Sequence, residues 1–427
     1  MLFLYIFNSK MLWKNFFGTL IYALFLINMR NYFHKMHVKK FIGILSPLTM
    51  LSTCMLMFVM SSQAVLCAEK PFTFQAVYTG EAWSNTTGGL DTGSEYLSNT
   101  DLQFDAQIFN GTLFLYGLYT NNNVLSETLV GDIQGASNID SGEVLRMIEA
   151  WYYHDLGSEI ATFKAGLIDL NSNFDAIEPA GLFINSSHGI GPDFSQTGAN
   201  GPSVFPASSL GAEFEIIPDD SWHFRIGLFD AVPHNPDNPD SNSLSLGDGT
   251  LLLSEINYRP NSRIRYAVGA WRYSPTFESL ENPAVLEDGN WGAYGFISGD
   301  LYQASNNGTG LTGWFRYGYA DNSDINFLQS YLGAGLVYTG LIPARSEDQL
   351  GLAVASVFIG GAGKRVAEQA GDAVAHAETN LELTYRAQIS NWLALQPSIQ
   401  YIINPGIVGG LDNALVIGLR FELSAVY

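Results

Sequence analysis

The stretch "LDNALVIGLRFELSAVY" at residues 411–427 alternates between large apolar side chains and polar or small ones. Leu419 and Phe421 fall on one face of an extended chain, while Arg420 and Glu422 fall on the other. A period of two residues is the signature of a strand with one polar and one apolar face. Because the pattern reaches the final aromatic residue, we expect a strand whose end is held in place, whereas most chain termini are poorly ordered.

The same alternation recurs along the chain. The clearest examples are "FTFQAVYTG" at 72–80, "DLQFDAQIF" at 101–109, "SLGAEFEII" at 209–217 and "SWHFRIGLF" at 221–229. No apolar run after residue 68 approaches the ~20 residues that a membrane-spanning helix needs. The sequence therefore predicts an all-β protein.

The connections distinguish the two folds that such strands allow. In a soluble sandwich the apolar face forms a core, whereas in a transmembrane barrel it faces lipid and the polar face lines a lumen. Tight turns, such as the one expected at Asn110-Gly111, alternate with long connections. The long connections are expected at 121–142, 169–207, 232–249, 275–288 and 361–375. This alternation is typical of an up-and-down barrel with turns at one rim and loops at the other.

The length of the chain sets the size of that barrel. About 16 strands of ~11 residues, with eight short turns and eight longer loops, need roughly 345 residues. Residues 69–427 provide that length, whereas eight strands would leave half of it as loop. We therefore predict a transmembrane antiparallel up-and-down β-barrel of about 16 strands, in which the last strand pairs with the first.

The first 68 residues differ in composition from the rest, with six Lys or Arg residues and no Asp or Glu. From Met36 onward they show a positive segment, an apolar segment and then small residues, which is the order of a secretory signal peptide. We therefore expect 1–68 to be a leader, with Met36 as the true start, a signal peptide at 36–68 and a single barrel domain at 69–427. Cleavage after Ala64 and an N-terminal membrane anchor are the alternatives.

Composition excludes several classes of function. The chain has 27 Phe, 21 Tyr, 8 Trp and 43 Gly, and only 14% of its residues are charged, which favours strands over disorder. Without the leader it has 14 basic and 41 acidic residues, a formal charge of −27, so nucleic acid is not an expected partner. Both cysteines, Cys54 and Cys67, fall in the leader, so we expect no disulfide and no thiol chemistry.

Several longer stretches resemble a known family, the carbohydrate-selective porins of the Gram-negative outer membrane. They are "GLIDLNSNFD" at 166–175, "LFINSSHGIGPDFSQTGANGPSVFP" at 182–206, "QPSIQYIINPG" at 396–406 and the closing "LRFELSAVY". The resemblance covers nearly all of residues 69–427. It implies a barrel of 16 strands and passive uptake of monosaccharides, and it does not specify the sugar.

The connection at 169–207 is the expected constriction. A loop of this length within a compact fold is usually functional, and a barrel of ~16 strands with nothing inside would leave a wide channel. We expect it to fold inward and narrow the lumen; an outward-pointing surface loop is the alternative. Its candidate constriction residues are Asp169, Asp175, Glu178, His188, Asp193 and Phe194.

Candidate lumen residues lie on the polar strand faces. Charged side chains can bond sugar hydroxyls, and aromatic rings can stack on the face of a sugar ring. The candidates are Glu149, Lys164, Arg225, Trp314, Arg316 and Arg420. Trp314 and Arg316 share a face, which suits such a pairing. In "VLRMIEAWYYHD" at 144–155 polar side chains fall on both faces, so the sequence leaves open which side lines the lumen.

We expect a passive outer-membrane channel for small neutral sugars, with no catalytic residue, cofactor or metal. A general, mildly cation-favouring porin and a surface adhesin or binding barrel without transport are the alternatives. A hydrolase is disfavoured because no G-x-S-x-G motif occurs. Further expected partners are outer-membrane lipid, lipopolysaccharide and the barrel assembly machinery, which would act through the C-terminal strand. Monomer and homotrimer both stay open.

Overall fold

The computed structural model describes residues 72–427, apart from 122, 158–159, 235–241, 243, 245–246, 305–307 and 322–323. The leader expected over residues 1–68 lies outside the described residues. Within the described part of the chain, no helix is both long and apolar enough to cross a membrane.

Sixteen antiparallel strands in the described residues close into one barrel, and each strand pairs with its neighbours in the chain. The strands are β1 (Phe72–Thr87), β2 (Gly93–Ile108), β3 (Gly111–Thr120), β4 (Val144–Asp155), β5 (Ala161–Ile168), β6 (Ser209–Asp219), β7 (Trp222–Asp230), β8 (Thr250–Asn261), β9 (Ile264–Glu278), β10 (Leu286–Gln303), β11 (Gly310–Ala320), β12 (Leu328–Thr339), β13 (Gln349–Ile359), β14 (Ala377–Ser390), β15 (Leu393–Ile403) and β16 (Ala414–Val426). The predicted fold class and strand number are confirmed.

Short helical segments lie in the connections rather than in the wall. Among the described residues these are a π-helical turn at Ser126–Val130, 3-10 turns at Leu170–Ser172, Glu178–Leu182 and Ser186–His188, and the α-helices α1 (Pro192–Ser195) and α2 (Gly361–Ala370).

The last strand closes the barrel on the first. The N–H of Tyr427 donates to the carbonyl of Phe74 over 2.8 Å, and the N–H of Phe74 donates to the carbonyl of Tyr427 over 3.1 Å. Further along the same pair, Glu81 lies opposite Arg420. The alternation that reaches the final residue therefore reflects a paired strand.

Because the strands run up and down, the connections fall on two rims. The long-loop rim carries loop 2 (residues 121–143), between β3 and β4, and the pore loop (residues 169–208), between β5 and β6. The short-turn rim carries the turn between β2 and β3. There Phe109 and Asn110 adopt positive φ angles of 49° and 62° and Gly111 already begins β3, so the turn sits one residue earlier than predicted.

The connection expected at 275–288 is half strand. β9 continues to Glu278, opposite Leu286 at the start of β10, so only residues 279–285 link the two strands. A register shift between Asp288 and Asn290 interrupts the alternation of apolar and polar side chains at the start of β10. The sequence pattern there therefore does not indicate a strand.

The two faces of the wall differ as the alternation predicts. On the outer face of β16, Ile417 and Leu419 are exposed, as expected for side chains that face lipid, whereas Arg420 points inward and is buried. The mixed pattern in β4 has a structural cause. A β-bulge shifts the register between Tyr116 and Gly117, so that Arg146 and Glu149 both lie on the inner face.

The main hydrophobic core lies inside the barrel, between the pore loop and the wall. Phe174, Phe183 and Phe194 of the pore loop are fully buried there. The ring of Phe194 stacks on Trp271 of β9, with ring centroids 5.1 Å apart. The pore loop therefore folds inward, as the fold prediction requires.

We expect Leu419→Arg to prevent stable assembly, because an arginine on the lipid face near the bilayer midplane costs about 2–4 kcal/mol. Leu419 lies near the centre of β16 and is 45% exposed. Gln103→Arg is the matched control, because it introduces the same charge on the inner face of β2. Heat-dependent gel mobility measures the folded fraction. Normal assembly of Leu419→Arg, or failure of Gln103→Arg alone, would contradict the assigned faces.

Candidate functional site

A buried ion cluster fixes the pore loop to the wall. Arg316 of β11 contacts Asp175 over 2.6 Å and Asp193 over 2.7 Å, and its Nε also donates to Asp175. The rings of Tyr294 and Tyr331 flank the guanidinium, with centroids 5.5 and 5.2 Å from it. The cluster joins β11 to two separate positions of the pore loop, and both are far from Arg316 in sequence.

The wall makes room for this cluster with a glycine. A Cβ atom at Gly318 would lie only 1.9 Å from a carboxylate oxygen of Asp193. Arg316 is 2% exposed, and both carboxylates are fully buried. Two buried carboxylates that share one cation depend strongly on it, since an unpaired buried charge is costly. Arg316 is therefore the principal anchor of the pore loop.

Other lumen side chains bind the pore-loop backbone. Glu382 of β14 accepts hydrogen bonds from the N–H groups of Ile184 (2.9 Å) and Asn185 (3.0 Å). Arg225 of β7 donates to the carbonyl of Asn173 over 2.7 Å, in addition to its ion pair with Glu215. These polar groups satisfy the irregular backbone of the loop inside the barrel, where unpaired N–H and C=O groups are costly.

Two of the predicted lumen residues are covered by the pore loop. Trp314, 5% exposed, packs edge-on against His188 with ring centroids 5.5 Å apart, and His188 also contacts Phe183 at 5.0 Å. Arg316 lies on the same face but binds pore-loop carboxylates. The Trp314–Arg316 pair thus packs behind the loop, instead of facing open lumen as its shared face suggested.

Arg420 has a comparable role toward loop 2. Its guanidinium contacts the buried carboxylate of Glu81 on β1 and the side-chain oxygen of Asn138 in loop 2. Ser137 of loop 2 donates to the same carboxylate over 2.7 Å, and Trp83 donates to it over 2.6 Å. Arg420 is thus a buried link between the barrel seam and loop 2, whereas its position in the strand predicted a lumen charge that contacts sugar.

An aromatic surface remains on the inner face of β3 and β4. The rings of Phe114 and Trp151 stack with centroids 4.8 Å apart, and both side chains are partly exposed. Lys164 of β5 lies 5.1 Å from the centre of the Trp151 ring. The indole N–H of Trp151 donates to Glu149 over 2.7 Å. Glu149 and Lys164, both predicted as lumen residues, therefore meet at a tryptophan that the prediction did not include.

Polar groups surround this surface, which we call the aromatic wall (Phe114, Tyr116, Glu149, Trp151 and Lys164). Tyr116 donates to Asp101 over 2.6 Å, and Lys164 pairs with Glu213 over 3.0 Å. Asn173 of the pore loop donates to Glu213, so the pore loop borders the aromatic wall. Asp169 lies close enough to Glu149 for their charges to interact. An apolar ring platform edged by carboxylates, an ammonium and an amide can hold a flat solute that carries many hydroxyls.

The other predicted constriction residues differ in their surroundings. Asp169 accepts hydrogen bonds from the N–H groups of Asn171 (2.8 Å) and Phe205 (3.2 Å), which ties the two ends of the pore loop together. Glu178 is exposed at the start of a 3-10 turn. Trp151 escaped the prediction because the bulge in β4 obscures its face; its only sequence signal was an aromatic residue two positions from Glu149.

Loop 2 carries a carboxylate with an unusual environment. Glu378 of β14 accepts hydrogen bonds from the N–H groups of Ile133 (2.9 Å), Gln134 (3.0 Å) and Gly406 (2.7 Å). The loop 2 carboxylate is that of Asp132, which directly precedes Ile133. Both of its oxygens are shielded from solvent. Burial and then the charge of Glu378 raise the pKa of Asp132 to about 8. Ionisation of Asp132 therefore opposes docking of loop 2.

Comparison with known proteins gives a consistent result. The sequence model of the family described as "Carbohydrate-selective porin, OprB family" matches residues 106–424. The chain is 24% identical to Porin B of Pseudomonas aeruginosa over 400 residues, which cover 83% of this chain and 87% of that protein. It is 22% identical to the putative porin QuiX of Acinetobacter baylyi over 315 residues, covering 66% and 70% of the two chains. The solved structure of Pseudomonas putida OprB at high pH superposes with a TM-score of 0.75 at 20% identity, covering 83% of this chain and 94% of that one.

Arg316→Gln should release the pore loop, because removing one partner of a buried ion cluster typically costs about 3–5 kcal/mol. We expect higher single-channel conductance and faster protease cleavage within residues 185–200. Lys364→Gln is the control, since the exposed Lys364–Glu368 pair on α2 should be worth no more than about 0.5 kcal/mol. Wild-type conductance in a folded Arg316→Gln barrel would contradict the anchoring role.

Hydrogen exchange of Ile133 and Gln134 should report the ionisation of Asp132. Its pKa lies near 4 in an open loop and at about 8 in the docked one, so docking weakens as pH rises through that window and levels off above it. After correction for intrinsic rates, amide protection should fall at least tenfold between about pH 5 and about pH 8. Asp132→Asn should remove most of the pH dependence of this amide protection. Identical pH profiles for the wild type and the variant would contradict the role of Asp132.

Proposed function

Since the chain belongs to the OprB family of carbohydrate-selective porins, and so forms a carbohydrate channel of the outer membrane, we propose that small neutral sugars of monosaccharide type cross it along the aromatic wall. The observation that carries this proposal is the partly exposed Trp151 ring between Phe114, Glu149 and Lys164. A pyranose has one weakly apolar face and hydroxyls around its edge. Stacking on Trp151 and hydrogen bonds to the flanking charges match both features.

The roles of the candidate residues divide into two groups. We propose that Glu149, Lys164 and Asp169 contact the passing sugar, because Glu149 and Lys164 border the partly exposed ring of Trp151 and Asp169 lies near Glu149. The second group acts without touching the sugar and consists of Arg225, Arg316 and Arg420. These residues hold the pore loop and loop 2 in place, so that the passage keeps its width. The pore loop is also supported by the packing of Trp314, His188 and Phe194.

The rival function is a general porin that favours cations. The aromatic wall and its border carry Asp101, Glu149, Asp169 and Glu213 against Lys164, so the local charge is negative and anions are disfavoured. That charge does not act on neutral sugars, so ion preference and sugar passage can coexist. An adhesin without transport and a hydrolase are less well supported, because a channel family and a channel fold account for the whole barrel.

The remaining proposals concern export and assembly. We propose that residues 1–68 form the leader, with cleavage before Glu69, because of their charge asymmetry and apolar segment. The paired, aromatic end of β16 supports recognition by the barrel assembly machinery. Lipopolysaccharide would then surround the long-loop rim, since long loops face outward in barrels of this class.

We expect Trp151→Ala to weaken sugar block of the ion current by roughly three- to tenfold, the loss of one stacking contact of about 0.5–1.5 kcal/mol. Current fluctuations in planar bilayers with added glucose measure that block. Trp392→Ala is the matched control, because Trp392 is 56% exposed at the short-turn rim, away from the aromatic wall. Unchanged block in Trp151→Ala would remove the aromatic wall from the pathway, and a wild-type current that no sugar affects would favour the general porin.

A further inference from the structure

A second polar pocket lies beneath the pore loop, on the side of the short-turn rim. It encloses about 280 Å³ between the 3-10 turn at Glu178–Leu182 and the inner face of β8 to β13. Its lining includes Arg259, Arg263, Asp300 and Gln349. The lining has no aromatic residue, so this pocket differs in chemistry from the aromatic wall.

The pocket offers arginines that the loops do not use. Arg265, at its inner end, is occupied: it donates to the carbonyl of Ala176 over 2.8 Å and pairs with Glu255 at 3.5 Å. Arg259 and Arg263, in contrast, are exposed, and within the described residues no carboxylate pairs with either guanidinium. In a chain with a formal charge of −27 outside the leader, two such arginines in one pocket are unusual.

The pocket also contains the complementary acceptors. Glu178 of the pore loop and Asp300 of β10 line it, so one cavity brings two arginines and two carboxylates together. Thr312 donates to Asp300 over 3.3 Å, which holds that carboxylate against the wall. A sugar hydroxyl can accept from a guanidinium and donate to a carboxylate at the same time, whereas a simple ion satisfies only one of the two.

From this balance of charges we propose that the pocket is a second binding subsite for one neutral monosaccharide, after the aromatic wall on the path toward the short-turn rim. The proposal rests on the function proposed above and adds a step to it. A sugar leaves the stacking contact at Trp151, passes the pore loop and is held by Arg259 and Arg263 together with the carboxylates of Glu178 and Asp300, which line the same pocket. The volume fits a single sugar ring, and the absence of an aromatic platform in the lining makes binding depend on the arginine forks.

Two subsites predict two components in the sugar-induced current noise of the wild-type channel. We expect Arg259→Gln/Arg263→Gln to weaken one component at least fivefold, most strongly for glucose added at the short-turn side, and to leave the other unchanged. Trp151→Ala should weaken that other component and leave the first one unchanged. Arg259→Lys/Arg263→Lys keeps the charge but loses the forks, so it should resemble the glutamine variant in sugar block while keeping wild-type ion selectivity.

The outcomes separate this inference from the proposed function. A single noise component in the wild type, or equal weakening of both components by the glutamine variant, would overturn the second subsite. Full sugar block in the lysine variant would also overturn it, because the effect would then be one of charge alone. If Trp151→Ala has no effect while the glutamine variant acts as expected, the aromatic wall fails and the pocket stands.

Discussion

The structure depends on one constraint, that a sheet in a bilayer has to pair every backbone N–H and C=O group with another strand. Closure of β16 on β1 meets this constraint, and it forces each strand to present one face to lipid and one to the interior. The interior face therefore carries polar and charged groups, together with the apolar side chains that pack against the pore loop. A closed ring of sixteen strands leaves more room than its own side chains can fill, so the long loops can enter and pack against those polar groups.

Most of the cations on the inner wall bind loops. Arg316 pairs with the pore-loop carboxylates, Arg225 bonds the pore-loop backbone, and Arg420 connects the barrel seam to loop 2. Lys164 instead pairs with Glu213 and lies beside the partly exposed ring of Trp151. The same residue type thus has two roles in one lumen, and the difference lies in whether a loop carboxylate or carbonyl reaches it. That division shapes the passage, because the cations that bind loops determine where the loops lie in the lumen.

The sequence was a good guide to the wall and a partial guide to the site. Alternation identified the strands, their faces and, with the chain length, their number. It failed where the period breaks: the bulge in β4 places Arg146 and Glu149 on one face, and the shift before Asn290 made a hairpin look like a loop. Lys164 was predicted from its polar position in a strand, whereas Glu149 was named although the sequence left open which face of residues 144–155 points inward. Trp151 was missed because its neighbours in sequence did not reveal its face.

The sequence by itself determined that this chain forms a sixteen-stranded barrel with an inward loop, because a period of two and alternating connection lengths are local properties. Only the tertiary structure decided which inward residues meet the solute. Arg316 and Lys164 are both basic residues on inner faces, yet one lies under Asp175 and Asp193 and the other lies beside Trp151. The pattern of a strand fixes the side to which a residue points. What covers that residue depends on a loop more than a hundred positions away in the chain, and no local pattern records that contact.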